Sequence, residues 1–111
     1  MPKQPAVLDP VFKALADPTR RAVVERLTAG PAATTALAEG FDLALPTFTQ
    51  HLGVLERGGL VTSHKDGRIR TYHLVPAPID RAAAWMLTQR THWERRLDQL
   101  DHHLSRLKEQ S

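Results

Sequence analysis

The chain has no cysteine among its 111 residues, so disulfide bonds and thiolate metal sites are excluded. It also lacks long hydrophobic runs, and no stretch approaches the roughly 20 apolar residues that a membrane-spanning helix needs. The first ten residues, MPKQPAVLDP, contain no apolar segment of the kind found in secretory signals. We therefore expect a cytoplasmic protein that does not contact a membrane.

Catalytic motifs are missing as well. The sequence contains neither G-x-S-x-G nor a glycine-rich phosphate loop, and it has no cysteine nucleophile to pair with a histidine. No pair of carboxylates is set in an apolar stretch. These absences predict that the protein is not an enzyme and that it needs no cofactor.

The charge balance is mildly basic. The net charge is +3 and the pI is about 9.8, values that suit a polyanionic partner but are equally typical of a soluble protein. A chain of this length forms one domain, residues 1–111, with only a modest core. A second subunit would add to that core.

Start and stop signals predict four short helices. Aspartate precedes proline at positions 9–10 and 17–18, which is typical of a helix start, and glycine pairs with proline or glycine at 30–31 and 58–59. Apolar residues recur at helical spacing between these signals. The predicted helices are residues 9–16, residues 18–29, residues 34–40 and residues 46–57.

The pattern changes after residue 59. The runs LVTSHK and RIRTYHLV are rich in β-branched and aromatic residues, and the Asp66-Gly67 pair between them predicts a hairpin. A long helix from Ile79 to Lys108 follows two prolines. This order predicts a mainly α fold with a small β-hairpin wing (α+β), a winged helix-turn-helix. Its expected parts are a flexible arm (1–8), a core (9–75) with its wing (60–75), and a C-terminal dimerisation helix (78–108).

The fourth predicted helix has two distinct faces. On a helical wheel, Phe48, Leu52 and Leu55 fall together and face the core. Threonine and glutamine on the other side can hydrogen-bond base edges, while a bare glycine there costs the helix ~1 kcal/mol relative to alanine. Closer approach to a surface would offset that cost. The polar face consists of Thr49, Gln50, Gly53 and Arg57.

The hairpin carries a cluster of cations. Lys65, Arg68 and Arg70 surround its tip, and only Asp66 opposes them. DNA recognition combines cations for phosphates with hydrogen-bonding groups for base edges, and this chain places the two kinds of group side by side. We therefore predict double-stranded DNA as the partner. The alternative is an ordinary solvated polar surface.

Four segments together resemble a known family: FKALADPTRRAVVERL, FDLALPTFTQHLGVLERGGLV, DGRIRTYHL and AAAWMLTQRTHWERRLDQLDHHL. They are similar, over about residues 10–107, to ArsR-type winged-helix repressors of the ArsR/SmtB superfamily. The closest likeness is to a cysteine-free branch, often encoded beside SRPBCC (START-like) proteins, whose last helix has a W…W-E-x-R-L-D pattern. The resemblance implies a homodimeric autoregulatory repressor that binds a palindromic operator and releases it on an unknown effector or signal.

The resemblance also implies residue roles. It assigns base contacts to Thr47, Thr49, Gln50 and His51, and phosphate contacts to Lys65, Arg68 and Arg70. Arg57 joins this predicted DNA-binding set from the polar face of the fourth helix. Ala44 stands where the branch usually has a serine helix cap, worth ~1 kcal/mol, and Phe48 replaces a smaller residue. His51 lies toward the core flank, so a structural hydrogen bond is an equal alternative for it.

The C-terminal helix carries an apolar seam. Residues from Ile79 onward recur with alternating gaps of four and three, a 3.5-residue period that keeps one face toward a partner helix. Only Arg90 interrupts the seam. A helix of about 30 residues is about 45 Å long, too long for this core to cover, although packing on its own domain is the alternative. The predicted dimer interface is Met86, Trp93, Leu97, Leu100, Leu104 and Leu107.

Two other interpretations stay open. Zinc-sensing relatives place histidines eleven residues apart on the last helix, as His92 and His103 are here. Arg90 and Arg106 occupy the positions of the other two ligands and would repel a dication, so we predict no metal site. A metal-responsive repressor and a protein–protein adaptor on the same fold remain the alternative functions.

Overall fold

The computed structural model describes residues 8–110. Its architecture is the predicted one, mainly helical with a small antiparallel sheet and a long last helix. The predicted arm, residues 1–8, lies outside the described range except for Leu8, which is buried and begins the first helix. The elements in chain order are α1 (Leu8–Leu15), α2 (Pro18–Thr28), β1 (Ala32–Ala33), α3 (Thr34–Ala38), α4 (Leu45–Arg57), β2 (Val61–Asp66), β3 (Ile69–Leu74) and α5 (Pro76–Glu109).

Local chemistry explains where the helices begin and end. Asp17 caps α2 by accepting a hydrogen bond from the Arg20 backbone N–H at 3.1 Å. The cap position of α4 is Ala44, whose side chain has no polar atom, so this helix begins without a side-chain cap. Beyond Gly58, the helix stops at Gly59, whose φ of 79° favours glycine. The prediction that Ala44 leaves the fourth helix without a side-chain cap is therefore confirmed.

The core lies between α1, α2, α4, the sheet and the beginning of α5. Phe48, Leu52 and Leu55 are each 0% exposed, which confirms the predicted inner face of α4. Phe48 packs on Phe41, with ring centroids 5.1 Å apart. The bulky residue at position 48 is therefore accommodated by an aromatic partner from the loop before α4.

The sheet has the strand order β1-β3-β2, with both pairs antiparallel. Asp66 pairs with Ile69, so the hairpin turns at Gly67-Arg68, one residue later than predicted. Gly67 has a φ of 64° whereas Arg68 has a negative φ, a combination typical of a type II′ turn with glycine first. Strand β1 was not predicted, because two alanines carry no strand signal of their own.

Helix α5 begins at Pro76, earlier than the predicted Ile79 or residue 78. Proline is tolerated in the first turn of a helix, because N–H groups there have no carbonyl partner within the helix. The first turns of α5 pack on the core through the buried Pro78 and Ala82. Trp85 lies edge-on against Phe12 of α1, with centroids 5.9 Å apart. Beyond this point α5 projects away from the body, so the molecule measures 76 × 29 × 22 Å.

Candidate nucleic-acid interface

The outer face of α4 is polar and exposed. Thr47, Thr49 and Gln50 are all exposed on it. The Thr49 hydroxyl donates to the Leu45 carbonyl at 2.9 Å, which leaves the hydroxyl oxygen free to accept a hydrogen bond. The burial of the opposite face fixes the orientation of α4, so these groups point outward as a set. A shallow groove along this face is lined by Leu45, Pro46, Thr49, Gln50, Gly53 and Arg57.

His51 lies at the edge of this face and is engaged within the protein. Its Nδ1 lies 3.1 Å from Nη1 of Arg20 and 3.7 Å from Oδ2 of Asp17. Arginine can only donate, so in the neutral ring Nδ1 accepts the bond from Arg20 and the proton is on Nε2. The structure thus contains the structural hydrogen bond expected as one alternative for His51, and its DNA contact stays a prediction.

Arg20 connects three helices around His51. Its Nε donates to the Ala14 carbonyl at 2.7 Å and its Nη2 to the Lys13 carbonyl at 3.1 Å, at the end of α1. The same guanidinium reaches His51 on α4. Arg20 therefore holds α4 in a fixed position relative to α1 and α2. Sequence reasoning missed this role, since the only local signal is an arginine three residues after a helix cap.

The Asp17 carboxylate belongs to the same network. Burial by itself raises the pKa of Asp17, but the Arg20 backbone N–H and the side chains of His51 and Arg20 outweigh it. The pKa of this carboxyl therefore lies below its ordinary value of 3.8. Asp17 is ionised at neutral pH and stabilises the start of α2 beside His51 of α4.

The wing presents two kinds of cation. Lys65 and Arg68 are exposed at its tip, and within residues 8–110 neither forms an ion pair. Arg70 is held instead: its Nη1 donates to the Ser63 hydroxyl at 2.9 Å, and that hydroxyl donates to Oε2 of Glu56 at 2.7 Å. This chain of hydrogen bonds ties both strands of the wing to the end of α4. The two predicted DNA-contacting elements are thereby joined.

The apolar seam of α5 is uncovered in the single chain. Each predicted interface residue exposes close to half of its surface or more, and Leu87 beside the seam is 60% exposed. Arg90, which interrupts the seam, pairs with Glu94 at 2.9 Å along the same helix. The exposed fractions are Met86 49%, Trp93 65%, Leu97 47%, Leu100 52%, Leu104 54% and Leu107 49%.

Known proteins share this arrangement. A family model described as a helix-turn-helix domain matches residues 15–64. The transcriptional repressor SdpR of Bacillus subtilis (strain 168) is 32% identical over 77 residues, which are 69% of this chain and 86% of SdpR. The crystal structure of the ArsR family transcriptional regulator RHA00566 aligns at 46% identity with a TM-score of 0.79, covering 85% of this chain and 97% of that one. This chain belongs to the ArsR family.

A second solved structure agrees with this assignment. The ArsR-like transcriptional regulator from Rhodococcus sp. RHA1 aligns at 30% identity with a TM-score of 0.73, over 86% of this chain and 90% of that one. The ArsR-family chain is thus a DNA-binding transcriptional regulator, which confirms the predicted class of function and the prediction that it is not an enzyme. Among residues 8–110, no helix has the length and apolarity to cross a membrane.

The histidines of this ArsR-family chain form one close pair. The rings of His64 and His73 stack on the wing with centroids 4.9 Å apart, as the adjacent strands allow. No group of three or more potential metal ligands occurs in the part of the chain that the structure describes. His92 and His103 both lie on the exposed part of α5.

Proposed function

We propose that this ArsR-family protein is a homodimeric, sequence-specific repressor that binds a palindromic operator in its own or a neighbouring promoter. The observation that carries the proposal is the two-sided character of α4. One side is fully buried through Phe48, Leu52 and Leu55, and the other presents exposed hydrogen-bonding groups. A helix held in this way can enter the major groove without losing its own packing.

The outer face of α4 supplies the base contacts in this proposal. Gln50 can pair through two hydrogen bonds with adenine, and Thr47 and Thr49 can donate to or accept from base edges. His51 keeps its Nδ1 bond to Arg20, which leaves Nε2–H as the donor for a phosphate or base. Arg57 adds a cation to the same face.

The wing supplies the phosphate contacts. Lys65 and Arg68 form no ion pair with residues 8–110, so binding a phosphate would break no such pair. Arg70 contributes both a cation and, through Ser63, the connection to α4. Each phosphate neutralised releases counterions, so affinity for any duplex falls as salt rises. These contacts position the protein without reading sequence.

A second copy of the chain covers the α5 seam in this proposal. Water-exposed apolar side chains repeat along about six turns from Met86 to Leu107, and a 3.5-residue period lets two such helices interlock. Large contiguous apolar surfaces mark association sites. A twofold pair would hold two α4 helices about one DNA turn apart, which matches a palindromic site.

The test combines footprinting with two variants. Purified protein is incubated with duplexes from upstream of its own coding sequence, and a protected site with twofold symmetry is expected. Arg68→Ala should weaken binding to all duplexes and reduce the slope of log affinity against log salt by about two, one contact per protomer. Gln50→Ala should instead relax the preference at particular base pairs. Equal sequence preference in Gln50→Ala and wild type would contradict the assigned base contact.

A further inference from the structure

Gly53 occupies the middle of the DNA-facing side of α4. On a helical wheel it falls between Thr49 and Gln50, about 40° from the first and about 60° from the second. Alanine is much the better helix former at an interior position, so glycine here needs a physical reason. The backbone gives none, because Gly53 is not among the described glycines with positive φ, which are Gly30, Gly59 and Gly67.

The space beside Gly53 is filled by a single side chain. A Cβ built on Gly53 would lie 3.1 Å from Nη1 of Arg57 and 3.7 Å from both Cζ and Nη2. The three nearest atoms thus all belong to one guanidinium, and the first is closer than an ordinary van der Waals contact. A methyl group at position 53 would therefore displace this guanidinium by a few tenths of an ångström.

Helix geometry accounts for this contact. Side chains on an α-helix lean toward its N-terminus, so a long residue covers the turn that precedes its own Cα. Arg57 is the last residue of α4, yet its guanidinium lies over position 53, about 6 Å back along the axis. Arg57, Gly53, Thr49 and Gln50 line one groove on the outer face.

We propose that Gly53 is a positioning residue: its missing side chain lets the Arg57 guanidinium lie against the centre of α4, where it contacts the bases or phosphates that Thr49 and Gln50 also face. The proposal rests on the proposed DNA-binding role of α4 and adds a task for Gly53. A guanidinium in the same groove as Thr49 and Gln50 has the planar fork that recognises guanine or a phosphate through paired bonds. Arg57 is free for this role, since within residues 8–110 it forms no ion pair.

A double-mutant cycle on operator affinity tests this inference. The four proteins are wild type, Gly53→Ala, Arg57→Ala and the double variant, measured by fluorescence anisotropy on the footprinted duplex. Arg57→Ala removes one two-bonded contact from each protomer, so it should weaken binding of the dimer by about thirtyfold or more. Gly53→Ala should weaken it about threefold to tenfold, but should cost nothing further once Arg57 is already alanine.

Thermal unfolding separates positioning from folding. Gly53→Ala should raise the Tm by a few degrees, because alanine favours the helix and the obstructing guanidinium is the flexible end of a side chain. If Gly53 served only the stability of the fold, its replacement would not raise the Tm and weaken operator binding at the same time. Gly40→Ala is the matched control: a Cβ there meets only the Leu37 carbonyl at 3.8 Å, so operator affinity should stay unchanged.

Three outcomes would overturn the inference. Equal losses for Gly53→Ala in both backgrounds would mean that the DNA itself approaches the bare helix. Unchanged affinity for Gly53→Ala would mean that Arg57 needs no such space, and unchanged affinity for Arg57→Ala would remove its DNA contact. In all three cases wild-type protein still binds the operator, so the proposed function survives. Failure of the wild-type protein to bind any duplex would contradict the proposed repressor function as well.

Discussion

The apolar faces of helices α4 and α5 differ in how much of their surface is exposed. Phe48 and Leu52 on α4 are completely buried within one chain, whereas Trp93 and Leu104 on α5 are 65% and 54% exposed. Both helices carry a regular apolar stripe, so the difference lies in what covers it. The single chain covers the apolar face of α4 and leaves its polar face exposed, whereas it leaves the apolar seam of α5 uncovered.

The largest effect on stability is expected from removing one buried aromatic side chain of α4. Phe48→Ala should lower the free energy of unfolding by about 3–5 kcal/mol, since it empties a core position and removes the ring contact with Phe41. Chemical denaturation followed by circular dichroism measures this change. Leu43→Ala, at a residue 40% exposed in the loop before α4, is the control and should change stability by about 0.5 kcal/mol or less.

Charges placed in the α5 seam should separate the protomers without unfolding them. Leu97→Glu combined with Leu104→Glu puts two carboxylates where the apolar faces would meet, so sedimentation should find single chains that keep their helical spectrum. Thr88→Glu with Gln99→Glu adds the same charge at exposed positions off the seam and should leave the dimer intact. A dimer that persists in the seam variant would show that another surface joins the protomers.

A smaller effect on stability is expected from changing Asp17, which caps α2 and lies beside His51 of α4. Asp17→Ala removes the α2 cap and should cost about 1 kcal/mol. Because the pKa of Asp17 is lower in the folded state than its ordinary 3.8, ionised Asp17 stabilises the fold above that pH, and this contribution disappears as pH falls below it. Asp17→Asn keeps a capping oxygen without the charge.

The pH dependence of these variants sharpens the test. The stability difference between wild type and Asp17→Asn should be constant near neutral pH and should shrink below about pH 4. A difference that is the same at pH 3 and pH 7 would mean that the charge of Asp17 contributes nothing. Thermal unfolding across that range provides the measurement.

The smallest effect concerns the start of α4. Ala44 has the extended backbone of a cap residue, with φ −61° and ψ 142°, but no capping side chain. Ala44→Ser should allow the new hydroxyl to accept from the Thr47 backbone N–H and should raise stability by about 0.5–1 kcal/mol. An unchanged Tm would indicate that the first turn of α4 is already satisfied in another way.

The features that sequence reasoning predicted well are those with local causes. Proline after a capping aspartate located α2, and the three-and-four spacing of Phe48, Leu52 and Leu55 identified the buried face of α4. The hairpin was located to within one residue because Gly67 allows a positive φ. In each case the signal lies in neighbouring residues.

The features that were missed depend on contacts between distant residues. Strand β1 exists because Ala32 and Ala33 pair with Tyr72 and Thr71 of β3, some 40 positions later. The hydrogen bond between Arg20 and His51 joins residues 31 positions apart, and the sequence near either residue does not predict it. The contact between Gly53 and Arg57 is local, yet the wheel showed only that both share a face and not which group fills the gap.

The central claim is that two protomers, joined through α5, hold two α4 helices on one operator. Sedimentation of the wild-type protein with and without the footprinted duplex tests it most directly, with chains of 12.4 kDa as the unit of mass. The account predicts two chains in free solution at micromolar concentration and two chains on each palindromic site. A single chain in solution, bound singly to DNA without twofold protection, would contradict it.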